Sequence, residues 1–378
     1  MSGAAWITGV GLTPFTREPG SGEAPLAWSA VRAALADAAL EVADVDVVFV
    51  ANVFAGPGLG QRILAQTPLA GRPIVNVENA CASGTGAALE AHAWVKAGMA
   101  DVALVVGVEV LTGRFDGGMI PVGDDLYVAQ GMNLPALYAL KARHHMERHG
   151  TRPEHFALVS VKNRAHGAAN PLASSREPVS VEDVLASRSI ADPITLLQCC
   201  RNADGAGAVV VTSDARARGN RRAVRLAASR LGSGRRRAEI GWDEPTIGDV
   251  SAAAYEAAGV GPGDVHVAEV HDSFAPAEIL AYERLGFSDD GAGGFDLERG
   301  RFRLGGPGPV VNPSGGLLAR GHPPGATGAA QLFEIVTQLR GEAGPRQVDG
   351  ARVGLTLTLG GNVPQLETNA CCVHVLTR

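Results

Sequence analysis

Short apolar runs alternate along this chain with Ala-rich stretches whose apolar positions recur every three to four residues. The first pattern reads as buried strands and the second as helices, so the chain is predicted to be α/β. Residues 27–43 read as a helix with Val31, Ala34, Leu35 and Ala38 on one face, running into a strand over 44–50. Ile74–Val77 is a second strand, 83–98 a helix and 102–108 another buried strand. The rhythm breaks over about 111–188, which holds a Gly/Asp loop at 116–125 and a His-rich helix around 138–149. This stretch reads as an insertion that covers a site on the main fold. Alternation resumes with 209–212 and 353–359.

Two patterns occur twice, in the same order. Residues 44–54, DVDVVFVANVF, resemble 264–274, DVHVAEVHDSF, and each follows a helical stretch. Residues 81–88, CASGTGAA, have a counterpart at 325–330, GATGAA, and each opens a helix leading to a buried strand. Repetition in a fixed order points to a duplicated α/β unit. The predicted halves are 1–220, carrying the insertion at about 111–188, and 221–378.

The 378 residues are too many for one minimal core and suit two domains of ordinary size. Hydrophobic residues make up 46% and charged ones 19%, which argues against disorder. Aromatics are only 5% while glycines number 49, a composition that lets backbones approach closely. The net charge of −6 gives no electrostatic reason to expect nucleic acid. The densest basic run, Arg235–Arg237, is either a solvated loop or a contact for a phosphorylated ligand. Five cysteines, four of them in adjacent pairs, form neither a disulfide framework nor a zinc spacing. With no signal-like N-terminus and no apolar run of about 18 residues, a cytoplasmic protein without a membrane span is expected.

Cys81 leaves a strand and enters a helix. It is either a small buried hydrophobe or a nucleophile whose thiolate the helix N-terminus stabilises. His322, locked between Gly321 and Pro323 just before a helix, is either a turn histidine or the base for Cys81. Duplication would bring these two helix starts together. His271 ends a strand and is positioned to hydrogen-bond an oxyanion, while Asp272 after it is equally a helix cap. Gly361 belongs to a tight turn, either plain or offering its N–H to the same oxyanion.

Cys81 in NACASG, His271 to Phe274, the run NPSGG at 312–316 and GHPPGATG at 321–328 together resemble the thiolase superfamily. The His-Asp-x-Phe form is similar to its sterol-carrier-type (lipid-transfer-type) branch. That resemblance implies two similar α/β halves in a five-layered αβαβα core with an inserted loop domain. It implies coenzyme A thioesters as substrates, no permanently bound cofactor or metal, and homodimers or homotetramers. Cys81 would be acylated and His322 would activate it. The N–H groups of Cys81 and Gly361 would form one oxyanion hole, and His271 with His322 would contribute to the other. Relatives carry a second cysteine as acid/base, either before the final glycine turn or within His-Asp-Cys-Phe. Here the turn reads Leu359-Gly360-Gly361-Asn362 without cysteine and the other position holds Ser273, and a hydroxyl is a far weaker acid than a thiol. Cys371 and Cys372 are expected in the core.

Three functions compete. The first is a thiolase-like acyltransferase working through acyl-Cys81. The second is an aldolase-type lyase on a β-hydroxyacyl-CoA with a small OB-fold partner. The third is a non-catalytic subunit that binds acyl-CoA. Sites for coenzyme A are to be sought in the 111–188 insertion and near Arg235.

Overall fold

The computed structural model describes residues 3–17, 20, 22–115, 118, 126–361 and 363–378. Most of the predicted 116–125 loop, and Asn362 of the final turn, lie outside the described residues.

Ten strands form the core: β1 (Ala5–Leu12), β2 (Val47–Ala51), β3 (Ile74–Val77), β4 (Val102–Glu109), β5 (Gly205–Ser213), β6 (Val224–Gly232), β7 (Val267–Glu269), β8 (Val310–Val311), β9 (Val353–Gly360) and β10 (Ala370–Thr377). Their order is β3-β2-β4-β5-β1-β6-β10-β9-β7-β8. The first five strands run 3-2-4-5-1 from their edge to the centre, and the last five repeat that order with five added. Pairing directions repeat too. β2 is parallel to β3 and β4, and β7 is parallel to β8 and β9. The remaining pairs within each half are antiparallel, and each half has a register shift in its innermost pair. Among the described residues, the sheet edges of the two halves pair through Trp6–Arg225 and Ile7–Val224. Even the lead-in turns match. Val42–Asp44 and Pro262–Asp264 are 3-10 turns in which Asp44 and Asp264 accept the N–H three residues back, at 2.9 and 2.8 Å.

Four core helices complete the layers: α1 (Glu23–Ala38), α2 (Ser83–Lys96), α3 (Pro245–Ala258) and α4 (Pro324–Arg340). α1 covers the outer face of the first half and α3 that of the second, while α2 and α4 pack together between the halves. The strand period of two explains why the first sheet is apolar throughout. Val48, Val50, Leu104 and Val106 face the α1 core, whereas Val47, Phe49, Ala103 and Val105 face the core shared with α2 and α4. The first helix starts and ends earlier than its sequence pattern suggests. Ala39 takes a left-handed conformation (φ 54°) that caps it, and the chain turns before β2.

Between β4 and β5 the chain leaves the sheet. The helices Leu134–His149 and Pro153–Ala168 and a small ladder of Ser189–Ala191 with Ile194–Thr195 lie in this excursion. Among the described residues, no helix is long and apolar enough to cross a membrane. Cys371 and Cys372 are fully buried on β10.

Candidate active site

The two motif helices meet backbone to backbone. A Cβ on Gly328 would lie 2.3 Å from Thr85 N, and one on Gly84 would lie 3.0 Å from Gly325 O. Only glycine permits that approach, and it brings the starts of α2 and α4 side by side. Glu109, at the end of β4, ties the junction. It accepts N–H groups from Val53 and Phe54 at 2.9 and 3.1 Å, and from Gly325 in the first turn of α4 at 3.1 Å.

Cys81 and His322 thereby face each other, Sγ to Nε2 at 3.3 Å. The imidazole is fully buried and held from both ends. Its backbone N–H donates to Arg201 O at 2.8 Å. Nδ1 lies 2.8 Å from Thr327 Oγ1, which itself donates to the Pro323 carbonyl at 3.0 Å. A hydroxyl that spends its proton on a carbonyl can only accept from the ring. Nδ1 therefore carries the proton, and the bare Nε2 lone pair points at the thiol.

One of the two sequence readings of Cys81 had a helix N-terminus stabilise its thiolate. The structure corrects this. Helix α2 begins two residues later, at Ser83, and Cys81 sits in the turn before it, after Ala80 with φ 49°. Burial pushes the thiol up to about 12, reinforced by the charge of Glu109 and opposed by the N–H groups of Gly361 and Cys81 itself. Burial likewise drives His322 well below its ordinary value, with His271 and Arg320 adding to the shift. The resting pair is a neutral thiol facing a neutral imidazole.

His271 stands against His322 edge to face, with ring centroids 5.2 Å apart. One donor atom each from Cys81, His271 and His322 lies within 4.8 Å of the others. Among the described residues, these three form the cluster whose donor atoms could hold a metal ion. Burial lowers His271 to about 3, and its Nδ1 has no partner among the described residues. Asp272 caps a helix, though not the one that follows it. Its oxygens accept the N–H groups of Leu317 and Leu318 at 2.7 and 3.2 Å. The NPSGG run is structural as well, with Asn312 bonded to Val270 N and Glu278, and Ser314 to Glu269.

A cavity of about 580 Å³ opens onto Cys81, His271, Ser273, His322 and Gly361. The excursion between β4 and β5 supplies much of its wall, including Tyr138, Arg164, Arg188, Cys200 and Arg201. Tyr138 stacks on Phe274 at 4.6 Å, and its hydroxyl bonds the side chain of Ser273. Arg17 completes a set of four arginines on the wall, where no carboxylate occurs among the described residues. The sequence reading pointed to the 111–188 insertion and named Ser273 and Phe274, but it singled out neither Cys200 nor any of the four arginines. The run at 235–237 lies elsewhere. Arg235 pairs with Asp249, Arg236 with Glu239, and Arg237 is buried beneath Trp242, bonded to the Pro364 and Leu366 carbonyls.

Family comparison agrees with this geometry. Residues 7–215 match the thiolase N-terminal domain and 241–373 the thiolase C-terminal domain-like family. The chain is 40% identical to acetyl-CoA acetyltransferase of Methanothermobacter thermautotrophicus, covering 91% of this chain and 92% of that one. It is 36% identical to human sterol carrier protein 2, over 94% of this chain and 69% of the relative. Among solved structures, the Ltp2-ChsH2(DUF35) aldolase superposes with a TM-score of 0.85 at 29% identity, covering 99% and 98% of the two chains. Motif geometry, duplicated topology and these similarities agree: the chain belongs to the thiolase superfamily, with its strongest ties to the sterol-carrier (lipid-transfer) branch.

Proposed function

We propose that this chain makes or breaks the C2–C3 bond of a coenzyme A thioester in the cavity above Cys81 and His322. The observation that carries this reading is the 3.3 Å approach of a thiol to an imidazole whose free lone pair faces it. Gly361 and Cys81 offer N–H groups toward the sulfur, which suits the oxygen of a carbonyl bound there. His271, neutral and lacking a partner at Nδ1, suits a hydrogen bond to the second carbonyl oxygen. The four wall arginines suit the phosphates of coenzyme A. Arg164 is held below its ordinary value by burial and by the charge of Arg201, with Glu177 partly offsetting this. An anion between these guanidinium groups would relieve their repulsion.

Two reactions fit, and the comparisons weigh toward the second of the sequence-based functions. Similarity to an aldolase whose title names a ChsH2(DUF35) component supports aldol-type cleavage of a β-hydroxyacyl-CoA beside a small OB-fold partner. In that reaction His322 takes the hydroxyl proton. The Cys81–His322 contact, with 40% identity to an acetyl-CoA acetyltransferase, supports transfer through acyl-Cys81 as the second reading.

One experiment separates them. The chain is given a 3-hydroxyacyl-CoA, or a 3-ketoacyl-CoA with free coenzyme A, and compared with Cys81→Ala. Aldehyde or ketone release that survives the substitution is the aldol result. A Cys81 acyl adduct, with thiolysis lost in the variant, is the transfer result. Neither product from either substrate would sink the proposal.

A further inference from the structure

Whichever reaction runs, cleavage of C2–C3 leaves its electron pair on C2 as an enolate, and that carbon must receive a proton. Of the two places where relatives keep a second cysteine, one holds Ser273 here, and the final glycine turn, Leu359-Gly360-Gly361-Asn362, has no cysteine before it. Two further thiols, Cys199 and Cys200, occupy the same cavity wall. Cys200 lines it together with Cys81, His271, Ser273 and His322.

Its placement is determined by backbone bonds to both motifs. Cys200 N–H donates to the Ser273 carbonyl at 2.9 Å, and the preceding Cys199 bridges Phe274 in antiparallel fashion. Cys200 therefore runs alongside Ser273. The next residue, Arg201, accepts the His322 N–H at 2.8 Å, and Asn202 bridges His322. Residues 199–202 are thus fastened to both the His271 and the His322 segments. Cys199 is otherwise occupied, its sulfur donating to Thr195 O at 3.4 Å. A sign of a ligand lies in the same cavity wall: His271, 3% exposed, has an Nδ1 that no described group satisfies.

Resting on the C2–C3 chemistry proposed above, we propose that Cys200 is the acid that protonates C2 of the departing acyl-CoA. In aldol cleavage the hydroxyl proton passes to His322 Nε2, C3 becomes a carbonyl, and the C2–C3 pair moves to C2. The Cys200 S–H bond then breaks as the C2–H bond forms. The imidazolium later returns its proton to the Cys200 thiolate. In thiolysis the Cys81 proton goes to His322, Cys81 sulfur bonds C3, and Cys200 again protonates C2. Incoming coenzyme A gives its thiol proton to Cys200, its thiolate takes the acyl group, and the freed Cys81 regains its proton from His322. Burial, with the nearness of Cys199, Cys81 and Asp272 adding to it, holds the Cys200 thiol well above its ordinary value, so it rests protonated, as a donor must.

The reverse of this step is measurable alone, as deuterium entering C2 of propionyl-CoA in heavy water. Cys200→Ser and Cys200→Ala should each slow exchange by about 100-fold or more, the usual size of a general-acid contribution. Propionyl-CoA binding, by titration calorimetry, should stay within about threefold in the Cys200→Ser protein, and Cys199→Ser should exchange at the wild-type rate. Exchange persisting within about threefold in both Cys200 variants overturns the proposal. So does wild-type protein that cleaves the bond but exchanges nothing, or a loss that follows Ser273→Ala instead. Loss of binding together with exchange in Cys200→Ser would mark a structural role and also overturn it. Wild-type protein that neither cleaves nor exchanges would instead overturn the C2–C3 reading itself.

Discussion

Thr327 Oγ1 accepts from His322 Nδ1 at 2.8 Å while donating to the Pro323 carbonyl at 3.0 Å. A threonine one turn into α4 thereby sets which imidazole nitrogen is free to act on Cys81. Thr327→Val keeps the shape and removes the acceptor. Leaving a buried N–H unpaired costs about 1–3 kcal/mol, so the rate of Cys81 alkylation by iodoacetamide should fall about 5- to 150-fold. Thr327→Ser should restore most of it. Equal rates in Thr327→Val and wild type would show that this hydroxyl does not orient the ring.

The thiol itself gives a pH test. Its value is raised to about 12, so the reactive thiolate is scarce at neutral pH and grows as pH rises. Alkylation of free enzyme should climb without a plateau between pH 7 and 10, followed by mass spectrometry on the Cys81 peptide. A plateau already reached at pH 7 would mean a standing thiolate–imidazolium pair.

Gly328 is where α4 crosses α2. A methyl group there lies 2.3 Å from the Thr85 nitrogen, and backbone cannot swing aside as a flexible side chain does. Gly328→Ala should lower unfolding stability by about 1–3 kcal/mol or more in urea. It should also slow Cys81 alkylation, because the same contact sets the Cys81–His322 distance. Wild-type stability would contradict the close crossing.

Polar side chains on the inner face of the second half predict acid sensitivity. His374 is fully buried on β10, with Nε2 3.2 Å from Thr85 O, and burial plus the charge of His92 lowers it to about 3. A depressed histidine binds fewer protons folded than unfolded. Its contribution is complete above the unfolded value, about 6.5, and is lost as pH falls toward 3. His374→Gln should therefore flatten the decline of stability between pH 6 and 4 by about 1.4 kcal/mol per pH unit. An unchanged slope in denaturant titrations would show that His374 titrates normally.

How much of this was legible in the sequence follows from the range over which each feature acts. The duplication was legible because strands and helices leave local periodicities, and the echoes at 44–54 and 264–274 kept their order. The Cys81–His322 pairing was reachable across 241 residues because both residues open the two repeated helices. Cys200 was not, because its bond to Ser273 is a tertiary pairing of irregular segments with no periodic signature. Arg17, Arg164, Arg188 and Arg201 are dispersed along the chain, whereas in the conspicuous run at 235–237 Arg235 and Arg236 pair with acids and Arg237 is spent on backbone carbonyls. The direction of the Cys81 shift was misread because a helix dipole is a local inference, while the desolvation that outweighs it depends on the whole cavity.

The central claim is that this cavity acts on the C2–C3 bond of an acyl-CoA. The most direct measurement is mass spectrometry of the coenzyme A products after the chain meets a 3-hydroxyacyl-CoA, or a 3-ketoacyl-CoA with free coenzyme A. The account predicts a shortened acyl-CoA from at least one substrate, abolished by His322→Ala. Thioesters recovered intact in every reaction, or cleavage undiminished without His322, would contradict it.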